Sequence, residues 1–207
     1  IFTKRIFRST GLPTPDFLWF LRKAWKDSGE EIIRAVRREI GFPCFVKPAN
    51  TGSSVGVAKA HDEEELPGCI HQAAEYDRKI LVEKAIDGRE LECAVLGNDQ
   101  PEASAVGEII PANEFYDYEA KYKSEKSRTI VPAELPGPLA KRVQRYAETA
   151  FKALDCAGMA RVDFFLDRKE NHLYVNEVNT IPGFTPISMY PKLWEHGGLP
   201  YPRLIDR

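Results

Sequence analysis

Two neighbouring runs of alternating residues in the C-terminal half constrain the fold of this chain more than any other feature. The runs read ARVDFFL and HLYVNEVN, and the polar segment DRKEN joins them. Alternation of this kind is typical of β-strands with one buried face, and a turn this short joins antiparallel strands. We therefore expect a β-hairpin here, with the rest of the chain covering one of its faces.

One face of this hairpin carries polar side chains that suggest a metal site. Alternation places Arg161, Asp163 and Phe165 on one face of the first run, and it places on one face of the second run the residues Leu173, Val175, Glu177 and Asn179. If the five-residue turn sets the register, Asp163 lies opposite Glu177 and Arg161 lies opposite Asn179. Two carboxylates placed opposite each other repel unless a cation lies between them, and oxygen donors of this kind favour Mg²⁺ or Mn²⁺ over zinc. A solvated sheet face with ordinary charges is the alternative.

Length, composition and cysteine usage restrict the class of protein. With 207 residues, 43% of them hydrophobic, the chain can form one or two compact domains. Its 29 basic and 31 acidic residues give no basic surplus, so we expect no nucleic-acid partner. No apolar run is long enough for a membrane span, and no signal peptide is visible. The four cysteines lack CxxC spacing, which favours reduced thiols in a cytosolic protein over a disulfide framework or a zinc site.

The remaining patterns interleave helices with strands and predict an α+β protein in two subdomains. We expect a long mobile loop over the tyrosine-rich, charged residues 115–134. A glycine turn in NTGSSVGVAKA returns the chain into a strand that pairs with CFVKP. Helices are predicted over residues 2–10, 30–40, 63–76 and 138–157, and further strands in KILVEKAI and DGRELECAVLGN.

The glycine turn after CFVKP has the composition of a phosphate-binding loop. Lys47 ends the strand, Gly52 and Gly56 allow the backbone to approach a phosphate, and Ser53 and Ser54 can donate hydrogen bonds. The Gly-Lys-Ser/Thr sequence of a Walker loop is missing. Taken alone, such a segment is more often an ordinary hairpin turn.

The segment VEKAIDGRE offers groups that suit a nucleoside. Glu83, Lys84 and Glu90 are spaced to meet an adenine edge and a ribose. A strand end with solvated charges is the alternative.

Together these segments resemble the ATP-grasp superfamily and, within it, the D-alanine:D-alanine ligases. Six motifs occur in the order of that family: KRIFRSTGLPTP, FPCFVKPANTGSSVGV, LVEKAIDGRELECAVLGN, FYDYEAKY, RVDFFLD and NEVNTIPGFTPIS. FYDYEAKY differs from the loop usual in ligases that make the D-Ala:D-lactate ester. The resemblance implies an α+β ATP-grasp fold of two subdomains, residues 1–84 and 85–207, with the nucleotide held between their sheets.

The resemblance also implies a role for each matching residue. Two Mg²⁺ or Mn²⁺ ions are expected on Asp163, Glu177 and Asn179, with Glu177 as the bridging ligand. Arg161 and the backbone N–H of Gly183 would stabilise an oxyanion. The residues expected to bind ATP are Lys47, Ser53, Ser54, Glu83, Lys84, Ala85, Ile86 and Glu90.

Further residues are implied for the amino-acid substrate. Ser188 and Lys121 would hold the carboxylate of the second D-alanine. Tyr122 would join Ser53 in closing the tyrosine-rich loop over the site and excluding water.

The function implied by the resemblance is ADP-forming ligation of two D-alanines through an acyl phosphate, for peptidoglycan precursors in the cytoplasm. Family members carry an N-terminal domain that this chain lacks, so we expect the chain alone to bind nucleotide but to ligate poorly or not at all. A homodimer is possible in the complete enzyme, and no membrane partner is expected. A different ATP-grasp carboxylate–amine ligase, or a nucleotide-binding fragment without turnover, is the alternative.

Overall fold

The computed structural model describes residues 1–110, 128–185 and 187–207, which form two compact units. The described part of the first unit is Ile1 and Pro15–Ile86. The second unit contains Phe2–Thr14, Asp87–Ile110 and Arg128–Arg207. The expected subdomains were residues 1–84 and 85–207, whereas the described segment Phe2–Thr14 packs with the second unit.

The described elements follow one another in an α+β order. In chain order they are α1 (Phe2–Ser9), β1 (Phe17–Leu21), α2 (Arg22–Glu39), β2 (Cys44–Pro48), β3 (Ala58–Ala60), α3 (Leu66–Tyr76), β4 (Lys79–Lys84), β5 (Gly88–Gly97), β6 (Glu102–Ile110), β7 (Arg128–Ile130), α4 (Gly137–Ala153), β8 (Gly158–Asp167), β9 (Leu173–Asn179), α5 (Met189–His196) and α6 (Tyr201–Ile205).

The first unit is an antiparallel sheet with helices on one face. Its strand order is β1-β4-β2-β3. Alternate residues of β2 and β4, among them Val46 and Val82, point into a core shared with α2 and α3. Val36 and Ile70 supply the helical side of that core. Since one face of each strand is used for packing, the other face is left for polar groups.

The second unit is a larger antiparallel sheet, with strand order β7-β6-β5-β8-β9. The core face of β8 carries Val162, Phe164 and Leu166, all almost fully buried. Phe151 of α4 and Phe7 of α1 belong to the same core. The opposite face of β8 therefore presents the alternate residues, which include the predicted metal ligand.

Several predicted elements have different bounds in the structure. Helix α2 begins at Arg22, eight residues before the prediction, and its backbone is non-helical at Ser28 (φ −144°, ψ 41°). This kink interrupts the periodicity, so only the second half was recognised from the sequence. The predicted loop 115–134 includes a short strand, Arg128–Ile130, and residues 111–127 lie outside the described residues.

Other predictions are confirmed closely. The first helix, the hairpin of β2 with β3 and the strands β4, β5, β8 and β9 lie where the sequence placed them. The helix predicted over 138–157 ends at Ala153, four residues early. Among the described helices, none is both long and apolar enough to cross a bilayer.

Candidate functional site

The polar face of the β8–β9 hairpin has the predicted register. Asp163 pairs with Glu177, and Arg161 pairs with Asn179. The register shifts between Asp163 and Phe164, which pairs with Val175, so Asn176 forms a bulge beside Glu177. The four polar residues named from the sequence are thus brought together on one surface of the second unit.

Arg161 is held firmly on this face by carboxylates. Its Nε donates to Asp163 Oδ1 at 2.7 Å and its Nη2 donates to Asp163 Oδ2 at 2.8 Å. Burial lowers the pKa of Arg161, but Asp163 first, and then Glu92 and Glu177, outweigh that effect and raise its pKa above the ordinary value. Arg161 therefore keeps its positive charge at every physiological pH.

The oxygen donors of Asp163, Glu177 and Asn179 suit a hard divalent ion such as Mg²⁺. In the described residues no three or more His, Cys, Asp or Glu side chains are arranged to hold a metal ion. Both Asp163 oxygens accept from Arg161, Asn179 Oδ1 accepts from the N–H of Ile181 at 3.3 Å, and Glu177 is exposed. Each carboxylate oxygen still has a lone pair beyond the one used by Arg161, so the donor set fits the ion in its chemistry.

A third carboxylate lies on the same row of the sheet and was not singled out from the sequence. Glu92 of β5 pairs directly with Asp163, which in turn pairs with Glu177. Glu92 is 5% exposed, and its Oε2 lies 3.2 Å from Arg161 Nε. In the sequence Glu92 stands within the apolar run LECAV, and only the pairing of β5 with β8 places it beside the site.

On the first unit, the predicted ATP residues Lys47 and Glu83 are in contact. Lys47 Nζ lies 2.5 Å from Glu83 Oε2, and Glu83 is 2% exposed. The Lys47 ammonium also lies 5.7 Å from the centre of the Phe45 ring. Phe45 pairs with Glu83 across the sheet and was not predicted as a site residue. An apolar ring beside a buried ion pair is a surface that can accept a flat, polar-edged base.

The other predicted nucleotide residues are distributed over both units. Within the segment 84–86, the backbone N–H groups of Lys84 and Ala85 donate to the carbonyls of Asp16 and Pro43. Those two N–H groups are therefore already used in the first unit. Glu90 belongs to the second unit, on the same face of β5 as Glu92.

The predicted phosphate turn has an unusual backbone. Ser53 and Ser54 both adopt positive φ angles, 53° and 57°, which few residues other than glycine do. Gly56 also has a positive φ, and a Cβ there would lie 2.5 Å from Tyr76 Cδ2. The turn after Lys47 thus has left-handed backbone at three positions, and at Gly56 the close approach of Tyr76 also leaves no room for a side chain.

The segment after β9 brings the backbone of Gly183 close to the hydroxyl of Ser188. Ser188 Oγ lies 2.8 Å from Thr185 Oγ1 and accepts from the N–H of Thr185 at 3.1 Å. A Cβ at Gly183 would lie 2.9 Å from Ser188 Oγ, so a larger residue there would displace this hydroxyl. Of the other predicted substrate residues, Lys121 and Tyr122 lie outside the described residues.

Solved structures with similar folds are themselves ligases. The VanG D-Ala:D-Ser ligase from Enterococcus faecalis superposes with a TM-score of 0.87 at 35% identity, covering 99% of this chain and 58% of that one. The D-alanine-D-alanine ligase from Coxiella burnetii gives a TM-score of 0.83 at 40% identity, with 99% and 53% covered.

Sequence comparisons agree with the structural ones. This chain is 58% identical over 207 residues to the D-alanine--D-alanine ligase of Thermoanaerobacter sp. strain X514 and 54% identical to that of Acetivibrio thermocellus. It spans 57% and 55% of their lengths. The family model described as "D-ala D-ala ligase C-terminus" matches residues 6–207. With nearly its whole length matched, the chain belongs to the D-alanine–D-alanine ligase C-terminal domain family.

Proposed function

We propose that the protein is an ATP-dependent ligase that joins two D-alanines into D-alanyl-D-alanine. The observation that carries the proposal is the alignment of Asp163 with Glu177 and of Arg161 with Asn179 on one sheet face. An arginine and oxygen donors on one surface suit the handling of a phosphorylated carboxylate. Membership of the family supports the choice of reaction.

The first step transfers the γ-phosphoryl group of ATP to the carboxylate of one D-alanine. A carboxylate oxygen forms a bond to the γ-phosphorus, the bond to the β-phosphate oxygen breaks, and ADP leaves. Lys47 offsets negative charge on the phosphates, while Glu83 and the Phe45 ring hold the adenine. Bound at Asp163, Glu177 and Asn179, Mg²⁺ or Mn²⁺ would neutralise charge on the transferring group.

The second step forms the peptide bond. The amine of the second D-alanine attacks the carbonyl of the acyl phosphate, the tetrahedral oxyanion collapses, and phosphate leaves as the amine loses a proton. Arg161 uses one N–H of Nε and one of Nη2 for Asp163, and Nη1, which makes no hydrogen bond within the described residues, is the group that we assign to the oxyanion. The N–H of Gly183 adds a second donor.

Capture of the second D-alanine is assigned to Ser188 and Lys121. The Ser188 hydroxyl donates to the carboxylate, and the Lys121 ammonium balances its charge. Ser53 and Tyr122 take part in excluding water that would hydrolyse the acyl phosphate.

The biological setting follows from the reaction. The product is a peptidoglycan precursor, and a supply of ATP implies the cytoplasm. Homodimerisation stays a prediction.

D-serine is the second candidate acceptor, because of the similarity to the VanG D-Ala:D-Ser ligase. Both acceptors present an amine and a carboxylate, and they differ by one hydroxyl. Parallel assays with D-alanine and D-serine decide between them.

The metal and nucleotide part of the proposal is tested by calorimetry of ADP binding with and without Mg²⁺. We expect ADP binding that depends on Mg²⁺ and that weakens at least tenfold in Glu177→Gln. Mutation of a residue that only hydrogen-bonds to a metal ligand already weakens metal binding by about tenfold or more, and loss of a ligand itself should weaken it further. Glu170→Gln is the matched control, because Glu170 is an exposed carboxylate in the turn of the same hairpin. Binding that is indifferent to both Mg²⁺ and Glu177→Gln would refute the site.

The reaction is tested by phosphate release from ATP at high protein concentration. Release should be greater with D-alanine than with L-alanine or D-lactate, even if turnover is slow. Equal release with all three acceptors would contradict the proposed substrate.

A further inference from the structure

Glu92 is a buried carboxylate that the proposed reaction does not yet use. It stands in one row with Asp163 and Glu177, on three adjacent strands of the second unit. Like charges directly opposite one another on a sheet are destabilising. A buried acid at this position therefore calls for a specific compensating cation.

Arg161 supplies a positive charge there, and two carboxylates lie close to its Nε: the single N–H of Nε donates to Asp163, while Glu92 is an ion-pair neighbour. Nε lies 2.7 Å from Asp163 Oδ1 and 3.2 Å from Glu92 Oε2. The side chain of Glu92 is 6% exposed, against 15% for Asp163 and 19% for Arg161. Glu92 is thus the more deeply buried of the two acids at the Nε edge.

The contacts at one edge of the guanidinium determine where its other edge points. Arginine carries five N–H donors in a rigid plane, so fixing Nε and Nη2 also fixes the direction of Nη1. Within the described residues, Nη1 of Arg161 makes no hydrogen bond, and it is the group assigned above to the oxyanion. An orientation error at Nε would be carried directly to this donor.

The grip of Asp163 on Arg161 is expected to loosen when Asp163 also serves a metal ion. Its oxygens then share their electron density between two cations. Glu92 is absent from the proposed donor set, so its 3.2 Å contact with Arg161 Nε does not depend on the ion.

We propose that Glu92 is a positioning residue, which holds the Nε edge of Arg161 in place while Asp163 is engaged elsewhere and so keeps Nη1 directed at the substrate. This inference rests on the proposed roles of Asp163 and Arg161. Glu92 itself touches neither substrate nor metal.

The test uses nitrogen-15 NMR of the Arg161 Nε–H group in the metal-free 207-residue chain, assigned by its disappearance in Arg161→Lys. Asp163→Asn imitates Asp163 when a metal ion neutralises its carboxylate, because the amide has the same shape without the negative charge. In that variant we expect Arg161 to stay ordered, with an Nε order parameter near about 0.8, whereas in Asp163→Asn/Glu92→Gln it should fall below about 0.6.

Asp163→Asn/Glu102→Gln is the control, because Glu102 is an exposed carboxylate on β6 of the same sheet. It should behave like Asp163→Asn alone. A role of Glu92 in folding alone would lower the melting temperature without changing the order of Arg161 in the folded state.

Two results would overturn the inference. One is loss of order at Arg161 in Asp163→Asn alone, and the other is an unchanged order parameter in Asp163→Asn/Glu92→Gln. The first of these results can be seen in Asp163→Asn alone, a nearly isosteric variant. The inference can therefore be refuted even if the double variant does not fold. Since no metal or nucleotide is added, failure here is distinct from failure of the ADP-binding test.

Discussion

The contact between Lys47 and Glu83 gives the most specific prediction for the first unit. Replacing Lys47 with Met keeps the apolar stem but removes the ammonium 2.5 Å from a carboxylate that is 2% exposed. Breaking a buried ion pair on one side costs about 3 to 5 kcal/mol of unfolding free energy. The Lys47 side chain is 24% exposed, so water can reach the site and the lower end of this range applies.

We therefore expect Lys47→Met to lower the unfolding free energy of the first unit by about 3 kcal/mol. Adding Glu83→Gln to Lys47→Met should recover about 2 kcal/mol of unfolding free energy, because the carboxylate that had lost the Lys47 ammonium is then replaced by a neutral amide. This recovery distinguishes a charge effect from lost packing.

The assay is urea unfolding at pH 7 without nucleotide, followed by tryptophan fluorescence. Trp19 and Trp25 lie in the first unit and Trp194 in the second, so a Trp194→Phe background reports on the first unit alone. Lys23→Met, at an exposed position of α2, is the control and should change the unfolding free energy by less than about 0.5 kcal/mol. Equal losses in Lys47→Met and Lys47→Met/Glu83→Gln would refute the reasoning.

Three other predictions concern the second unit and the buried thiols. Ser188→Ala should raise the concentration of second D-alanine needed for half-maximal phosphate release more than that of ATP; equal changes would argue against its role. Lys4 is 6% exposed and donates to the Asn176 carbonyl at 3.1 Å. Lys4→Met should therefore lower the unfolding free energy by about 2 kcal/mol and so lower the melting temperature. An unchanged melting temperature would contradict this. Burial raises the pKa of the Cys44 and Cys93 thiols from 9.0 to about 12. The unfolded chain therefore loses these protons first, and stability should fall between pH 8 and 10 by about 1 kcal/mol per thiol, a loss that Cys→Ala variants should not show.

The register of the hairpin was predicted from its short turn, and the structure has Asp163 opposite Glu177 and Arg161 opposite Asn179. Alternation alone does not produce this register, because the bulge at Asn176 places Leu173 and Val175 in the core while Glu177 lies on the polar face. The turn after Lys47 was also recognisable, since small residues there follow directly from the strand.

Features that depend on distant pairing could not be predicted in this way. Glu92 joins the site only through the alignment of β5 with β8, about seventy residues along the chain. Phe45 looks like an ordinary strand residue until β2 is seen to pair with β4. The early start of α2 was hidden by the non-helical backbone at Ser28.

The placement of α1 with the second unit has a consequence for how the chain folds. Apart from Ile1, the described part of the first unit is the continuous stretch Pro15–Ile86, whose sheet and helices can form before the second unit has been synthesised. Helix α1 cannot reach its final contacts, and Phe7 stays exposed, until β9 has been synthesised. The carbonyl of Asn176 in β9, which accepts from Lys4, lies 172 residues further along the chain. Helix α1 is thus synthesised before the first unit but reaches its final contacts after it, and damage to α1 should disturb the surroundings of Glu177 before it disturbs the unit that follows α1 in sequence.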